Sequence, residues 1–299
     1  MTAETRFGAL SGIYTAIFTP QNADSSLALH YYPELFEFHR TAGIDGLAVC
    51  GTNGEGISFS VDERKEILEK AIELRGGFSI IAGTGATSVT DAVELTKHAA
   101  SVGADAVLVL PPFFVKNPAP QGLADYYRSV LDSADIPVIL YNIPPFTAVH
   151  ITDEVMELLA DHPNLAGVKD SAGDWERTLE FIQKYPHLRI FTGSDRLLGP
   201  GYLHGAAGCI SGGANTFPEV LCAVRDAWKN DPTGNAVLEE QARFDRLIDI
   251  TIKYPFITSS KAILAHRGLP RYGVRPPLVP ISQELENELI GELKAGGWL

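Results

Sequence analysis

The chain has 299 residues, of which 45% are hydrophobic and 20% charged, an ordinary composition for a globular protein with a large core. Its net charge of −13 argues against binding to nucleic acid or to an anionic membrane through bulk charge. The chain has only three cysteines, no apolar stretch near the roughly 20 residues of a membrane span and no signal-peptide pattern in its first residues, so we expect no disulfide framework and a cytoplasmic protein.

Short apolar strands alternate with amphipathic helices along the first two thirds of the chain. In order, the predicted strands cover 12–18, 46–50, 78–83, 105–110, 137–141, 165–169, 189–193 and 207–211. The helices predicted between them cover 33–43, 61–77, 89–104, 124–134, 152–162 and 175–185, with a short helical segment within 197–206.

Eight such units predict a closed parallel barrel, because continuously apolar strands that alternate with helices form parallel sheets covered on their outer face. The competing architecture is an open, doubly wound sheet. That fold would lead us to expect a glycine-rich dinucleotide loop after the first strand, where the chain instead reads FTPQNADSS (18–26). The sequence therefore favours a (β/α)8 TIM barrel.

The last 85 residues or so carry further helices and no ninth strand. These helices are predicted over 218–228, 236–253, 257–268 and 282–297. We therefore expect two parts: residues 1–215 form the barrel, and residues 216–299 form a C-terminal helical extension that packs on the barrel or makes subunit contacts.

The carboxyl ends of barrel strands carry the active site in this fold, and Lys169 lies at the end of the sixth predicted strand. Partial desolvation of an amine disfavours its charged form, and a neutral lysine attacks a ketone to give a Schiff base. A protonated imine accepts electrons, so a neighbouring C–C bond can break or form. The alternative is an ion pair of Lys169 with Asp170, Glu55 or Asp195.

Tyr141 ends the fifth predicted strand, and Gly51, Thr52 and Asn53 follow the second. Aldol chemistry needs a proton relay, which a tyrosine within hydrogen-bond reach can provide. Glycines around Thr52 and Asn53 allow the backbone to approach a small anion such as a carboxylate. A buried structural tyrosine and an ordinary glycine-rich turn are the alternatives.

Other chemistries have weaker support in the sequence. Eight scattered histidines form no metal-ligand pair, so no metal site is expected. The sequence contains no Gly-x-Ser-x-Gly elbow and no P-loop. A flavin or nicotinamide barrel stays open, since GSDRLLGPG and ISGGANT could loosely serve as phosphate-binding loops.

Taken together, the strand ends resemble the dihydrodipicolinate synthase / N-acetylneuraminate lyase family of class I, pyruvate-using aldolases. The resemblance covers nearly the whole chain. It is carried by TAIFTP (15–20), GTNGEG (51–56), YNIP (141–144), GVKDSAGD (167–174), GSD (193–195) and GCIS (208–211), in the family's order and spacing.

The resemblance implies a role for each matching residue. Lys169 matches the Schiff-base lysine, Tyr141 the tyrosine that relays protons, and Thr52 the hydroxyl beside it in the relay. Asn53 falls next to the expected position of the pyruvate carboxylate, with Gly51 in the same loop. Gly193 and Ile210 match residues that line the pocket. The family takes no metal or organic cofactor and is usually a homotetramer, a dimer of dimers.

Two departures bear on the substrate. Authentic dihydrodipicolinate synthases carry an arginine after YN-P that holds the carboxylate of aspartate semialdehyde, and Phe146 occupies that place here. They also carry a tyrosine pair after the fourth strand, where this chain has Phe113 and Phe114.

The sequence therefore predicts a lyase that cleaves a 2-keto-3-deoxy sugar acid or a similar 4-hydroxy-2-oxo acid to pyruvate and an aldehyde. Its partner is a small molecule rather than nucleic acid or membrane. The alternatives are 4-hydroxy-tetrahydrodipicolinate synthase, N-acetylneuraminate lyase, a dehydratase that uses the same imine, and a keto-acid-binding relative without turnover.

Overall fold

Eight parallel strands form a closed barrel in sequence order, and the first strand pairs with both the second and the eighth. This computed structural model describes residues 7–299; residues 1–6, which begin the segment without a signal-peptide pattern, lie outside the described residues. The strands are β1 (Gly12–Ala16), β2 (Gly46–Val49), β3 (Ser79–Gly83), β4 (Ala106–Val109), β5 (Val138–Asn142), β6 (Leu165–Asp170), β7 (Arg189–Thr192) and β8 (Gly208–Ser211). The predicted barrel is confirmed.

Helices cover the outer face of the barrel and continue beyond the last strand. They are α1 (Tyr32–Thr41), α2 (Val61–Leu74), α3 (Val89–Val102), α4 (Pro120–Leu131), α5 (Pro144–Thr147), α6 (Asp153–Glu157), α7 (Trp175–Lys184), α8 (Leu198–Leu203), α9 (Pro218–Asn230), α10 (Asn235–Thr251), α11 (Phe256–His266) and α12 (Gln283–Ala295). In the part of the chain that the structure describes, no helix is long and apolar enough to cross a membrane.

Two helices differ from their predicted bounds by four residues or more, and one helix was not predicted. Helix α4 begins at Pro120, four residues before the predicted start, because proline fits the first turn of a helix. Helix α6 ends at Glu157 rather than at 162, and residues 158–161 form turns instead. Helix α5 lies between β5 and α6, where no helix was predicted, and Pro144 again opens it.

The core has two layers, because successive side chains of a strand point to opposite faces. One layer fills the barrel interior with Tyr14, Ile81, Ile139, Tyr141, Phe191 and Ile210, among others. A second, larger layer lies between the strands and the helices, and it includes side chains of the C-terminal helices such as Phe244, Ile263 and Leu289.

The C-terminal helices contact the barrel through this outer layer. Helix α9 packs against β1 and α10, and α12 packs against α10 and α11. A buried ion pair also links α11 to the loop after β2, where Lys261 donates to Glu55 at 2.5 Å. The division into 1–215 and 216–299 stays a prediction.

Candidate active site

A β-bulge in β6 directs Lys169 into the barrel. Strand β6 is in register with β5 at Leu165, but the next paired residue is Gly167, so Ala166 is an extra residue. Ala166 itself belongs to the interior layer, and after the bulge Val168 belongs to the outer layer. Lys169 therefore faces inward, next to its register partner Tyr141.

The Lys169 side chain is buried and packs on an aromatic ring. Lys169 is 5% exposed, and its Nζ lies 4.1 Å from the centre of the Tyr141 ring. Within residues 7–299 it forms no ion pair, although lysine is seldom buried without a carboxylate partner. Its amine is therefore free to react with a small molecule.

Asp170, the first carboxylate considered as a partner, is held on the outer side of the barrel. Its Oδ1 accepts from Asn142 Nδ2 at 2.7 Å, and its Oδ2 accepts from Thr178 Oγ1 at 2.6 Å. The Asn142 Oδ1 atom in turn accepts from the Ile151 backbone N–H at 3.0 Å. These bonds fix the carboxyl ends of β5 and β6 and so position the two residues before them.

The other two carboxylates considered are also engaged elsewhere. Glu55 accepts from Lys261 and from Gln21 Nε2, the latter at 2.7 Å. Asp195 accepts from Ser211 Oγ at 2.5 Å and from the Gly213 N–H at 3.0 Å, while burial raises the pKa of its carboxyl. None of the three forms an ion pair with Lys169.

Tyr141 and Thr52 bring two hydroxyl groups to the same place. The Thr52 Oγ1 and Tyr141 hydroxyl oxygens lie 3.5 Å apart, and Tyr141 is 4% exposed. A strong O–H···O bond measures about 2.7 Å, so a small shift of either side chain would allow proton transfer. Burial opposes ionisation of Tyr141, but the Lys169 charge and hydrogen bonds to the hydroxyl outweigh it and lower the Tyr141 pKa.

Backbone hydrogen bonds within the loop of residues 51–56 hold it in consecutive tight turns. The Glu55 N–H donates to the Thr52 carbonyl, and the Gly56 N–H donates to the Gly51 carbonyl, each at 3.1 Å. The backbone N–H groups of Thr52 and Asn53 find no acceptor in residues 7–299, so they are available to an anion. The Asn53 amide nitrogen lies beside Gly212, after β8.

Small residues leave room around these groups. A Cβ atom added to Gly51 would meet nothing within 4 Å, so this glycine borders open space. A Cβ atom added to Gly193 would lie 1.8 Å from Ser171 Oγ, so that position needs glycine. Ile210 is fully buried in the interior layer of the barrel.

Ser171 is a candidate site residue that sequence reasoning missed. Its hydroxyl lies close enough to Tyr141 to help lower the tyrosine pKa, yet it is buried and forms no hydrogen bond of normal length in the described chain. A serine in KDSAG reads as an ordinary turn residue. Its position two residues after the lysine was the only available signal.

The three phenylalanines at the departures from the family pattern lie toward solvent. Phe146 on α5 is 75% exposed, and Phe114 after β4 is 84% exposed, while Phe113 is half-buried. Lys116 bridges these two segments by donating to the Phe113 carbonyl and to the Thr147 carbonyl. Phe146 is thus placed at the rim and not packed against the buried lysine.

Groups of metal-ligating side chains are absent from residues 7–299. The arrangement that is present consists of a buried amine, two hydroxyls and a loop with free N–H groups at the carboxyl ends of barrel strands. These groups suit imine formation with a 2-oxo acid followed by proton transfer. Fold and site together define a lysine-dependent carbon–carbon lyase of the TIM-barrel type.

Comparison with known proteins agrees with this class. The model of the dihydrodipicolinate synthetase family matches residues 9–296, and the chain belongs to this family. A protein of Chloroflexus aurantiacus named "Uncharacterized DapA-like lyase" is 40% identical over 91% of this chain and 92% of its own length. The 4-hydroxy-tetrahydrodipicolinate synthase of Ralstonia nicotianae is 34% identical over 97% and 99%.

Solved structures of similar proteins share the whole architecture. YagE, a prophage protein of the dihydrodipicolinic acid synthase family from E. coli K12 solved in complex with pyruvate, superposes with a TM-score of 0.91 at 27% identity and covers 97% of this chain and 99% of its own. A variant of the Sulfolobus solfataricus 2-keto-3-deoxygluconate aldolase gives 0.87 at 25% identity, with 96% of both chains covered. The chain is therefore a lyase with the fold of class I pyruvate aldolases.

Proposed function

We propose that this protein cleaves a 2-keto-3-deoxy sugar acid, or a similar 4-hydroxy-2-oxo acid, to pyruvate and an aldehyde through an imine on Lys169. The observation that carries the proposal is the buried Lys169 amine, which lies over the Tyr141 ring with no carboxylate partner in the described chain. A 2-oxo acid supplies the electrophilic carbonyl carbon that such an amine attacks.

Each step has a group within reach. The Lys169 amine adds to C2 of the substrate and water leaves, which gives a protonated imine. Tyr141 accepts the proton of the C4 hydroxyl, the C3–C4 bond breaks, and its electron pair forms an enamine while the aldehyde leaves. The enamine takes a proton at C3 and water releases pyruvate. Thr52, whose hydroxyl is 3.5 Å from that of Tyr141, completes the relay.

The loop after β2 would hold the substrate carboxylate. The backbone N–H groups of Thr52 and Asn53 have no hydrogen-bond acceptor in the described chain. The Asn53 side-chain amide adds a further N–H donor beside them. Gly51 borders open space for C1 to C3, Gly193 leaves room for the Ser171 hydroxyl, and Ile210 is buried in the barrel interior. The Ser171 hydroxyl, which is buried and has no normal hydrogen bond in residues 7–299, could bind a substrate hydroxyl.

The residues at the rim of the site bear on which aldehyde is released or accepted. Phe146 lies at the rim with 75% of its surface exposed and offers no cation for a second carboxylate. An uncharged, hydroxylated aldehyde suits this rim better than aspartate semialdehyde does. The structural similarity to a 2-keto-3-deoxygluconate aldolase supports the same choice.

4-Hydroxy-tetrahydrodipicolinate synthase is the second candidate function. Several relatives that are 30–34% identical over nearly the whole chain carry that name. This candidate requires the chain to bind the carboxylate of aspartate semialdehyde with groups other than an arginine at position 146. The two candidates share the imine on Lys169 and differ only in the aldehyde.

Trapping the imine tests the shared chemistry. The protein is incubated with pyruvate and sodium borohydride, and its intact mass is measured. We expect one reduced pyruvyl group per chain in the wild type and in Lys116→Met, which removes a lysine from the rim, but none in Lys169→Met. An adduct that persists in Lys169→Met, or no adduct in the wild type, contradicts the mechanism.

A panel of aldehydes tests the substrate. Pyruvate is assayed with glyceraldehyde, erythrose and aspartate semialdehyde, and kcat/KM is compared. We expect a sugar-derived aldehyde to exceed aspartate semialdehyde, and Phe146→Arg to reverse or narrow that preference. If aspartate semialdehyde is the best substrate of the wild type, the synthase assignment replaces ours.

A further inference from the structure

Glu55 carries a buried carboxylate inside the loop after β2, the loop that would hold the substrate carboxylate. Its exposed fraction is 2%, and it lies two residues after Asn53. A glutamate is seldom fully buried unless its charge is paired. The partners of this carboxylate therefore bear on how the loop keeps its shape.

Three donors from separate parts of the chain bind the Glu55 carboxylate. Lys261 Nζ on α11 donates to Glu55 Oε1 at 2.5 Å, and Gln21 Nε2 in the loop after β1 donates to the same oxygen at 2.7 Å. The backbone N–H of Arg275 donates to Glu55 Oε2 at 3.0 Å. Both carboxylate oxygens are thus engaged away from Lys169, so the group serves as an anchor and not as a reactant.

The donors are themselves connected through Gly273. The Gly273 carbonyl accepts from Lys261 Nζ at 2.6 Å, and the Gly273 N–H donates to the Gln21 carbonyl at 2.7 Å. A Cβ atom added to Gly273 would lie 2.2 Å from the Asn22 carbonyl oxygen, so the two segments are in close contact. Gln21 and Lys261 are both buried, and hydrogen bonds shielded from water in this way are electrostatically strong.

The loop has a backbone conformation that needs such an anchor. Cys50, just before the loop, and Glu55, near its end, have φ of 57° and 55°, in the left-handed region that side chains other than glycine rarely adopt. A residue stays in that region only where its surroundings determine it, and such residues cluster at functional sites. The Thr19 hydroxyl adds a further bond by donating to the Gly54 carbonyl at 2.8 Å. The bonds to Glu55 therefore hold the turn that presents the two free N–H groups.

We propose that Glu55 is a positioning residue, which fixes the free N–H groups of Thr52 and Asn53 for the carboxylate of a 2-oxo acid. Disturbing the Glu55 carboxylate should weaken the binding of substrates that carry this carboxylate, because the N–H groups lose their fixed direction. The Lys169 amine should stay reactive, since its side chain forms no ion pair with Glu55. This inference rests on the proposed imine at Lys169.

Two 2-oxo compounds that differ in the charge of the carboxyl group test the proposal. Pyruvate and its methyl ester are each trapped on the protein with sodium cyanoborohydride over a series of concentrations. The concentration that gives half of the maximal adduct is read from the intact mass, with Lys169→Met as the background. Glu55→Gln removes the charge and keeps the shape of the side chain. We expect it to raise the half-maximal concentration of pyruvate about tenfold, as for one lost hydrogen bond to a charged group, and to change that of the ester little.

Glu286→Gln is the matched control. Glu286 is another buried glutamate, 3% exposed, and it accepts hydrogen bonds from Arg271 in the C-terminal part of the chain. Its substitution should lower stability without changing the response to either compound. Gln21→Met removes one donor to Glu55 and should shift the half-maximal concentration of pyruvate in the same direction as Glu55→Gln, by a smaller factor. Because Gln21→Met keeps the buried ion pair, it decides the question if Glu55→Gln does not fold.

The two compounds separate the outcomes. If Glu55→Gln and Gln21→Met, shown to be folded by thermal unfolding, take pyruvate like the wild type, Glu55 has no positioning role. An equal shift for pyruvate and its ester, or the same shift in Glu286→Gln, also overturns the proposal, because it would reflect a general disturbance of the protein. If the wild type gives no adduct on Lys169 with either compound, the imine mechanism fails and this inference fails with it.

Discussion

Lys169 and Tyr141 depend on each other, because each changes how the other can react. The ammonium form of Lys169 lies 4.1 Å from the Tyr141 ring centre and lowers the tyrosine pKa, so the phenolate becomes accessible below the usual pH of 10. A lysine alone can form an imine, but it cannot by itself remove the proton of a substrate hydroxyl in the C–C bond-breaking step. Lys169 therefore serves to bind the substrate as an imine, and Tyr141 serves to remove the proton when the C–C bond breaks.

Tyr141→Phe should separate these two functions. We expect kcat to fall by about 10²-fold or more, because a positioned acid or base contributes that much. Borohydride should still trap pyruvate on Lys169, since the amine remains. Tyr126→Phe, which removes a hydroxyl that donates to the Ala86 carbonyl on the outside of the barrel, should change kcat little. Loss of trapping in Tyr141→Phe would show that the tyrosine is needed to form the imine.

The pH dependence of kcat should report the Tyr141 hydroxyl. A step that needs the phenolate accelerates as pH rises toward the tyrosine pKa, which is lowered in the folded protein. Thr52→Val removes one of the hydrogen bonds that lower this pKa, so the rise should move to higher pH. Steady-state rates between pH 6 and 10 measure the shift. An unmoved profile with a lower kcat would assign Thr52 a positional role only.

Two glycines of the pocket should respond differently to the same added methyl group. Gly193→Ala places a Cβ atom 1.8 Å from Ser171 Oγ, so Ser171 must move and kcat should fall. Gly51→Ala meets nothing within 4 Å, so it should fold normally and raise KM by narrowing the pocket. Measuring kcat and KM for both variants checks the contrast. If the two variants change kcat and KM to the same extent, the displacement of Ser171 has no effect of its own on catalysis.

At the scale of elements, the sequence predicted the strands well and the site only in part. The eight apolar runs were long enough to place every strand within two residues. Lys169, Tyr141 and Thr52 came together because all three end or follow strands of one barrel. The bulge at Ala166 could not be predicted, because it arises from pairing between strands and leaves no local signal. Helix α5 was missed because PPFT reads as a loop.

The buried ion pair between α11 and the loop after β2 should contribute substantially to the free energy of unfolding. Lys261 is 2% exposed, and among residues 7–299 its removal leaves the buried Glu55 carboxylate with only Gln21 and the Arg275 N–H as partners. Lys261→Met should therefore lower the free energy of unfolding by about 3–5 kcal/mol. Urea unfolding measures this loss.

Two further variants give the reference for that loss. Lys65→Met removes an exposed pair with Glu94 and should cost about 0–1 kcal/mol. The double variant Glu55→Gln/Lys261→Met should lose less than the sum of its single changes, because neither partner is then left charged and alone. A strictly additive result would mean that the pair does not act as a unit.

At the scale of the whole molecule, an ion pair and hydrogen bonds, in addition to apolar packing, hold the C-terminal segment on the barrel. Arg275 binds both Glu63 oxygens, at 2.8 and 2.9 Å, and donates to the carbonyls of Ser25 and Ser58. This single side chain therefore joins the segment before α12 to α2 and to the loops after β1 and β2. The homotetramer expected from the family resemblance, in contrast, stays a prediction.

The Arg275–Glu63 contact should make the stability of the whole molecule sensitive to acid. Hydrogen bonds from Arg275 lower the Glu63 pKa from 4.5 to about 2. A carboxyl whose pKa is lowered by folding stabilises the folded state above its unfolded pKa, and this contribution is lost as pH falls toward the folded pKa. The urea midpoint of the wild type should thus exceed that of Glu63→Gln at pH 7, and the difference should shrink between pH 4.5 and 2.5.

Glu239→Gln removes an exposed glutamate without an ion pair in residues 7–299 and serves as the control. The difference between its urea midpoint and that of the wild type should not shrink over this pH range. A difference between wild type and Glu63→Gln that stays constant with pH would mean that Glu63 acts through packing and not through its charge.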